Sequence, residues 1–116
     1  MSIKLRYIAI AAALSWAASA NASMKVGDFL EMEKDPQSRP YAALYIDAYM
    51  QALTVANGTL RYRGQTAFFC PPGTITLGGD NARNAVQTAL KNGSAKESDD
   101  IGIILLKELQ SAFPCQ

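Results

Sequence analysis

The stretch AFFCPPGTITLGGDNARNAV, residues 67–86, decides the fold because it places a cysteine, a proline-rich turn and the start of a helix in one segment. Its cysteine is Cys70, and the only other cysteine of the 116-residue chain is Cys115 in the terminal SAFPCQ. Two cysteines in such positions could form a catalytic pair, a metal site or a disulfide. The compartment in which the protein folds decides among these three interpretations.

The first 22 residues have the features of a secretory signal peptide. Lys4 and Arg6 precede an uncharged run over residues 7–20, and Ala20-Asn21-Ala22 places small residues where a signal peptidase cleaves. A membrane-spanning helix needs about 20 apolar residues, and this run gives way to small residues too early. We therefore expect export, cleavage near Ala22, a mature domain of residues 23–116 and no membrane association of the mature chain.

The mature chain is expected to be nearly neutral. Without Lys4 and Arg6, nine basic residues face ten acidic ones. Nucleic-acid binding normally requires a clearly basic surface, and Arg61 and Arg63 around Tyr62 are more typical of a solvated surface or of ion pairs. We therefore expect no nucleic-acid partner.

Four segments have the apolar periodicity of helices. They are residues 24–35, residues 38–58, a segment that ends at residues 92–93 and a last one that ends at Pro114. The second segment is apolar around most of its circumference, which favours a place at the centre of a bundle. The pattern predicts an all-α fold, a small bundle of about four helices without repeats. Residues 59–76 are expected to form a loop with a short extended piece at 67–69.

Helix ends are expected at residues with suitable backbone chemistry. Asn57-Gly58 and Asn92-Gly93 tolerate positive φ and are expected to end the second and third helices. Capping side chains are expected before the third and fourth helices, from Thr74 or Thr76 and from Ser94 with Glu97.

The sequence lacks the usual components of a catalytic or metal site. It contains no histidine, which is the commonest general base and zinc ligand. Gly78-Gly79 before a helix could bind an anion, but no strand or Lys-Ser/Thr pair accompanies it. Asp47, a lone carboxylate in an apolar helix, is expected to reach solvent or to pair with an arginine. These residues favour a binding protein over an enzyme, with no cofactor.

In an oxidising compartment, two cysteines in a domain of this size are expected to pair. A disulfide between Cys70 and Cys115 would join the entrance of the third helix to the end of the fourth and hold the two antiparallel. Reactive thiol chemistry is the alternative for these residues.

The C-terminal half resembles the Rap1a/Tai family of immunity proteins of type VI secretion. The resemblance lies in the element FC-x-P-x-G-x-T and a terminal FPC, at Phe69, Cys70, Pro72, Gly73, Thr74 or Thr76, Phe113, Pro114 and Cys115. It implies a periplasmic helical protein, often a homodimer, that neutralises a peptidoglycan amidase by placing a loop in its active-site groove. Many members also carry a second cysteine pair, which this chain lacks.

The resemblance makes the loop KNGSAKESDD, residues 91–100, the candidate for binding a cognate amidase-type effector. Within it, the candidate partner-binding residues are Lys96, Glu97, Ser98, Asp99 and Asp100. Acidic side chains there could complement a basic or peptide-binding cleft.

Two other functions remain open at this point. The start VGDFLEME, with a proline turn and an aromatic helix after it, is also similar to HdeA-type periplasmic chaperones of acid stress. Those chaperones usually carry a cysteine before this element, where Val26 or Gly27 stands here. The third possibility is an envelope accessory protein of a conjugation or secretion system on the same scaffold.

Overall fold

Four helices make up the regular structure of residues 23–116, the part of the chain that the computed structural model describes. They are α1 (Val26–Lys34), α2 (Arg39–Tyr62), α3 (Gly79–Lys91) and α4 (Ile101–Ala112). Within that range no strand forms, and Lys25 and Asp100 form an isolated antiparallel bridge. The all-α prediction is therefore confirmed. The predicted signal peptide and its cleavage site near Ala22 lie outside the described residues.

The core forms where α2, α3 and α4 pack on one another, with α1 against α2. Each helix contributes residues at helical spacing, and Phe69 from the loop between α2 and α3 is completely buried with them. The largest fully buried side chains are Phe29, Phe69, Ile46, Met50, Ile101, Leu105, Val26 and Val86. Large apolar side chains of this kind each stabilise the fold by roughly 1.5 to 3 kcal/mol when fully buried.

The expectation that α2 is buried around most of its circumference is wrong. One side of the helix is buried, at Ala42, Ile46 and Met50, whereas Tyr41 and Leu44 on the other side are 67% and 68% exposed. The three neighbouring helices cover only one face of α2, because helices of 9, 13 and 12 residues are too short to enclose a helix of 24 residues. The helix nevertheless contacts all three other helices, and only its outer face is left exposed.

The end of α2 also differs from the expectation, because the helix continues past Asn57-Gly58 to Tyr62 and ends before Gly64, whose φ is +67°. Asn57 is buried, and its amide bonds across to the following loop instead of ending the helix. Its Oδ1 accepts from the backbone N–H groups of Phe68 and Phe69, at 2.7 and 3.2 Å, and its Nδ2 donates to the Phe69 carbonyl at 2.8 Å. These bonds use the backbone of Phe68 and Phe69, so two residues of the predicted extended piece pair with a side chain and not with a strand.

The start of α3 is capped from α2 and not by Thr74 or Thr76, which are both exposed. The Asp47 carboxylate accepts from the Gly79 N–H at 3.0 Å, so Asp47 neither reaches free into solvent nor pairs with an arginine. A Cβ at Gly79 would lie 3.1 Å from the Asp47 Cβ, so the missing side chain allows the approach. The anion at this glycine pair is thus the protein's own carboxylate.

Replacing Asp47 with alanine is expected to lower the free energy of unfolding by about 1 to 2 kcal/mol, because α3 loses both a cap and a negative charge at its N-terminus. Asp47→Asn keeps an acceptor oxygen and should lose only about half of that amount. Urea unfolding of residues 23–116 measures both variants. Equal stability of Asp47→Ala and the wild type would contradict the capping role.

The disulfide between Cys70 and Cys115 is confirmed, with 5.0 Å between the two Cα atoms. The Cys70 N–H also donates to the Phe113 carbonyl at 2.7 Å, so two connections join the turn before α3 to the end of α4. Both sulfurs are bonded to each other, so neither cysteine is a free thiol in this structure.

Candidate functional site

The candidate binding residues lie in the α3–α4 loop, residues 92–100, which the structure places between two packed helices. Lys96, Glu97 and Ser98 are exposed, and we call these three residues the loop tip. Asp99 and Asp100 are only partly exposed. The five candidates are therefore adjacent in space as well as in sequence, but they do not share one environment.

The first residues of the loop end α3. The helix ends at Lys91, and Gly93 adopts a φ of +79°, so the predicted Asn92-Gly93 terminator is confirmed. Ser94 bonds back to the Asn92 side chain at 2.6 Å and does not cap α4. The Ala95 N–H donates to the Ala89 carbonyl at 3.0 Å and the Ala95 side chain is buried, which fixes the loop to α3 just before the tip.

The loop tip is a closed turn with Asp99 at its base. The Asp99 carboxylate accepts from the Lys96 N–H at 2.8 Å, and the Asp99 N–H donates to the Lys96 carbonyl at 3.0 Å. The first bond uses one oxygen of the Asp99 carboxylate inside the loop, and the second uses the Asp99 backbone N–H. Asp99 therefore shapes the tip.

Asp100 begins α4, and this corrects the expected capping box of Ser94 and Glu97. Its carboxylate accepts from the Gly102 N–H at 2.9 Å and from the Ser23 hydroxyl. The negative charge also lies at the positive end of the α4 dipole, where it is stabilising. Both oxygens of Asp100 thus have partners within the fold, which leaves Glu97 as the acidic residue of the loop that is free to meet a partner.

A segment at the N-terminus of the described chain, residues 23–27, holds the loop from outside. The Val26 N–H donates to the Asp99 carbonyl and the Gly27 N–H to the Glu97 carbonyl, both at 2.9 Å. In return the Ile101 N–H donates to the Met24 carbonyl at 3.1 Å. Three backbone bonds therefore pin the loop to the start of α1.

Gly27 makes this pairing possible. A Cβ there would lie 3.1 Å from the Glu97 Cβ and 3.3 Å from the Glu97 carbonyl oxygen, closer than packed side chains normally come. Sequence reasoning missed residues 23–27 because their partners lie about 75 positions away and no periodicity marks them. The glycine within an otherwise helical segment was the available signal.

Tyr49 of α2 supports the base of the loop. A side chain at Gly102 would overlap its hydroxyl, so the ring packs directly on the first turn of α4. Burial raises the pKa of Tyr49 above its ordinary value of 10.0, and the nearby charge of Asp100 raises this pKa further. Neutral Tyr49 therefore stays beside the capping carboxylate throughout the physiological range.

The charges around the tip are balanced. Lys34 at the end of α1 binds Glu31 at 2.7 Å, and its pKa is raised first by that hydrogen bond, then by the charge of Glu31 and, more weakly, by the charge of Glu97. Glu97 therefore lies within electrostatic range of Lys34 and beside Lys96. The tip presents one positive and one negative side chain to a partner.

No family model, curated protein or solved structure matches the chain.

The surface of residues 23–116 also has grooves outside the loop. Two open grooves have volumes of about 290 and 390 Å³, and each is lined by a single titratable residue, Glu108 in the first and Asp47 in the second. No group of three or more His, Cys, Asp or Glu residues with metal-binding geometry occurs in this part of the chain. None of its helices combines the length and apolar character needed to cross a bilayer.

Proposed function

We propose that the protein is a periplasmic immunity protein that binds and neutralises a secreted peptidoglycan amidase through the loop tip, Lys96, Glu97 and Ser98. The observation that carries this proposal is the contrast within the loop. Its backbone and its two aspartates are fixed by hydrogen bonds inside the fold, while the three tip side chains are exposed.

A loop fixed in this way is suited to inhibition. Association normally costs the ordering of loops and side chains, and a binding element that is already ordered avoids much of that cost. Bonds from residues 23–27, the Asp99 turn and the Asp100 cap order this loop before a partner arrives. Such a protrusion can enter a groove with little backbone change.

The tip also carries side chains that favour specific recognition. Lys96 and Glu97 place opposite charges next to each other, and complementary charges on a partner fix the register of an interface and raise its association rate. Because the groove of a peptidoglycan amidase must bind a peptide, it offers polar groups for such a pairing.

The direct test is inhibition of an amidase that is encoded beside this gene. Residues 23–116 should bind it and block its hydrolysis of peptidoglycan, and exported full-length protein should protect cells that receive the toxin in the periplasm. The double variant Lys96→Glu/Glu97→Lys reverses both tip charges without changing the net charge. We expect it to bind at least about 30-fold more weakly, as for a substitution at an interface hot spot.

Lys107→Glu is the control for a charge reversal elsewhere on the surface, because Lys107 is exposed and belongs to α4 and not to the loop. It should bind within about twofold of the wild type. Asp99 and Asp100 are unsuitable for this test, since changing them alters the loop itself. Full inhibition by the double tip variant would contradict the proposed site, and no inhibition of a neighbouring amidase by the wild type would contradict the function.

A further inference from the structure

Ser23 lies against the start of α4. Its hydroxyl donates to the Oδ2 oxygen of Asp100, the residue that caps this helix. The backbone next to Ser23 is held in place, because the Ile101 N–H donates to the Met24 carbonyl at 3.1 Å. Ser23 is also the first residue that cleavage after Ala22 would leave. Cleavage there would therefore create a new chain end beside a capping carboxylate.

From this contact we propose that the α-amino group freed by cleavage before Ser23 forms an ion pair with the Asp100 carboxylate, which strengthens the hold of residues 23–27 on the α3–α4 loop. The proposal rests on the predicted cleavage site and does not depend on the toxin-binding function. It makes the removal of the leader a step that orders the loop.

Cleavage changes the charge at Ser23. Hydrolysis adds one water molecule across the Ala22–Ser23 peptide bond, so Ala22 leaves with a carboxylate and the Ser23 nitrogen becomes a primary amine. Such an amine has an ordinary pKa of about 8 and is therefore an ammonium group at neutral pH. Before cleavage the same nitrogen is a neutral amide, so the ion pair belongs to the mature protein alone.

The new ammonium group lies within reach of Asp100. Three bonds separate the Ser23 nitrogen from the hydroxyl oxygen, which limits the distance between these two atoms to about 3.7 Å. Because the hydroxyl contacts Oδ2, the nitrogen lies within about 6 Å of the carboxylate, a range at which opposite charges stabilise each other. The other oxygen, Oδ1, accepts from the Gly102 N–H at 2.9 Å, so the helix cap and the ion pair use different oxygens.

The other titratable groups around the start of α4 do not replace Asp100 as the partner. The Asp99 carboxylate accepts from a backbone N–H of the loop tip at 2.8 Å. The two charges of the loop tip are exposed and opposite in sign, and the Lys25 side chain is exposed as well. Tyr49 is neutral at physiological pH, because burial and then the charge of Asp100 raise its pKa above 10.0.

The ion pair should be lost at high pH. The charge of Asp100 raises the pKa of the α-amino group above its ordinary value of about 8. The contribution of the pair is therefore fully present below about pH 8 and disappears as the pH rises through the raised pKa. Since Ser23 is exposed, we expect only a few-fold effect on the opening of the loop.

Hydrogen exchange tests the pair by comparing residues 23–116 with the same chain acetylated at the Ser23 α-amino group alone. Acetylation keeps Ser23 in place and removes the charge. At pH 7 and low salt, the amides of Val26, Gly27 and Ile101, which bond across to their partners, should be protected about threefold less in the acetylated chain. Val86 in the core of α3 is the internal control and should exchange equally in both chains.

Two further measurements show whether Asp100 is the partner. In Asp100→Asn, which keeps an acceptor oxygen for the cap, acetylation should change the protection by less than about 1.5-fold. In 1 M NaCl, which screens charges beyond about 3 Å, the difference between the free and the acetylated chain should also nearly vanish. A pH titration of the Ser23 carbon resonances should give a higher pKa for the α-amino group in the wild type than in Asp100→Asn.

Four results would overturn the proposal. They are equal protection of the free and acetylated chains at pH 7, an effect of acetylation that persists in Asp100→Asn, an α-amino group that titrates at its ordinary pKa, and an exported protein whose first residue is not Ser23. N-terminal sequencing of the exported protein decides the last of these.

Discussion

Replacing both cysteines, as Cys70→Ser/Cys115→Ser, is expected to lower the free energy of unfolding by about 4 kcal/mol. The bridge joins positions 45 apart, and closing a loop of that length removes this much conformational freedom from the unfolded chain. Small domains have a total stability of about 5 to 15 kcal/mol. The variant should therefore unfold at a much lower urea concentration, or fail to fold at body temperature.

Without the bridge, the loss of stability should be largest in the two segments that it joins, around Cys70 and Cys115. Cys115 lies beyond α4, so without the bridge this segment would be held by the Cys70–Phe113 backbone bond and by the packing of Phe113 against the core. Amide exchange should then speed up first around Phe69 and Phe113. Urea unfolding followed by circular dichroism measures the total effect, and exchange of the backbone amides locates it.

Reduction provides the matched control for this variant. Dithiothreitol should destabilise the wild type by a similar amount and leave the double serine variant unchanged. If the variant retained a free energy of unfolding within about 1 kcal/mol of the wild type, the bridge would not stabilise the fold as the chain-entropy argument requires.

The helices and the disulfide could be predicted from the sequence because both depend on strong signals. Buried residues such as Ala82, Val86 and Ala89 recur at the spacing of one helix face, and burial follows that spacing. The cysteine pairing followed from an expected oxidising compartment and from the presence of only two cysteines. Neither inference needed to know which elements meet in space.

Helix ends were less predictable because a polar side chain near a helix end can bond to backbone groups that are close to it or far from it in the sequence. The spacing of Ser94 and Glu97 favoured a local capping box, but Asp100 caps α4. Asp47 caps a helix that starts 32 residues later. The sequence shows which side chains can form hydrogen bonds. The fold determines which backbone groups lie close enough to be their partners.

The candidate loop, residues 92–100, shows the same difference between what the sequence indicates and what the fold determines. Its position between two helices and its acidic character could be read from the sequence, but the different environments of its acids could not. Asp99 and Asp100 have carboxylates that bond within the fold, and only Glu97 presents its charge outward. The Asp99 carboxylate bonds within the loop, whereas the Asp100 carboxylate also accepts from Ser23, which is distant in the sequence.

We expect Asn57→Ala to have the second large effect, a decrease of about 3 kcal/mol in the free energy of unfolding. The Asn57 amide satisfies three backbone groups of Phe68 and Phe69, and Phe69 is completely buried. Alanine would leave these groups without partners in the core, at a cost of about 1 to 3 kcal/mol for each group that water does not reach. Partial entry of water into the small space left behind limits the total.

Two further variants separate the hydrogen bonds from other effects of the substitution. Asn57→Leu restores volume but not the bonds, so it should remain destabilised by at least about 2 kcal/mol. Asn84→Ala removes an exposed asparagine from α3 and should change the stability by less than about 0.5 kcal/mol. The amides of Phe68 and Phe69 should exchange faster in both Asn57 variants. Unchanged exchange at these amides would mean that the buried asparagine does not hold the loop that carries Phe69 and Cys70.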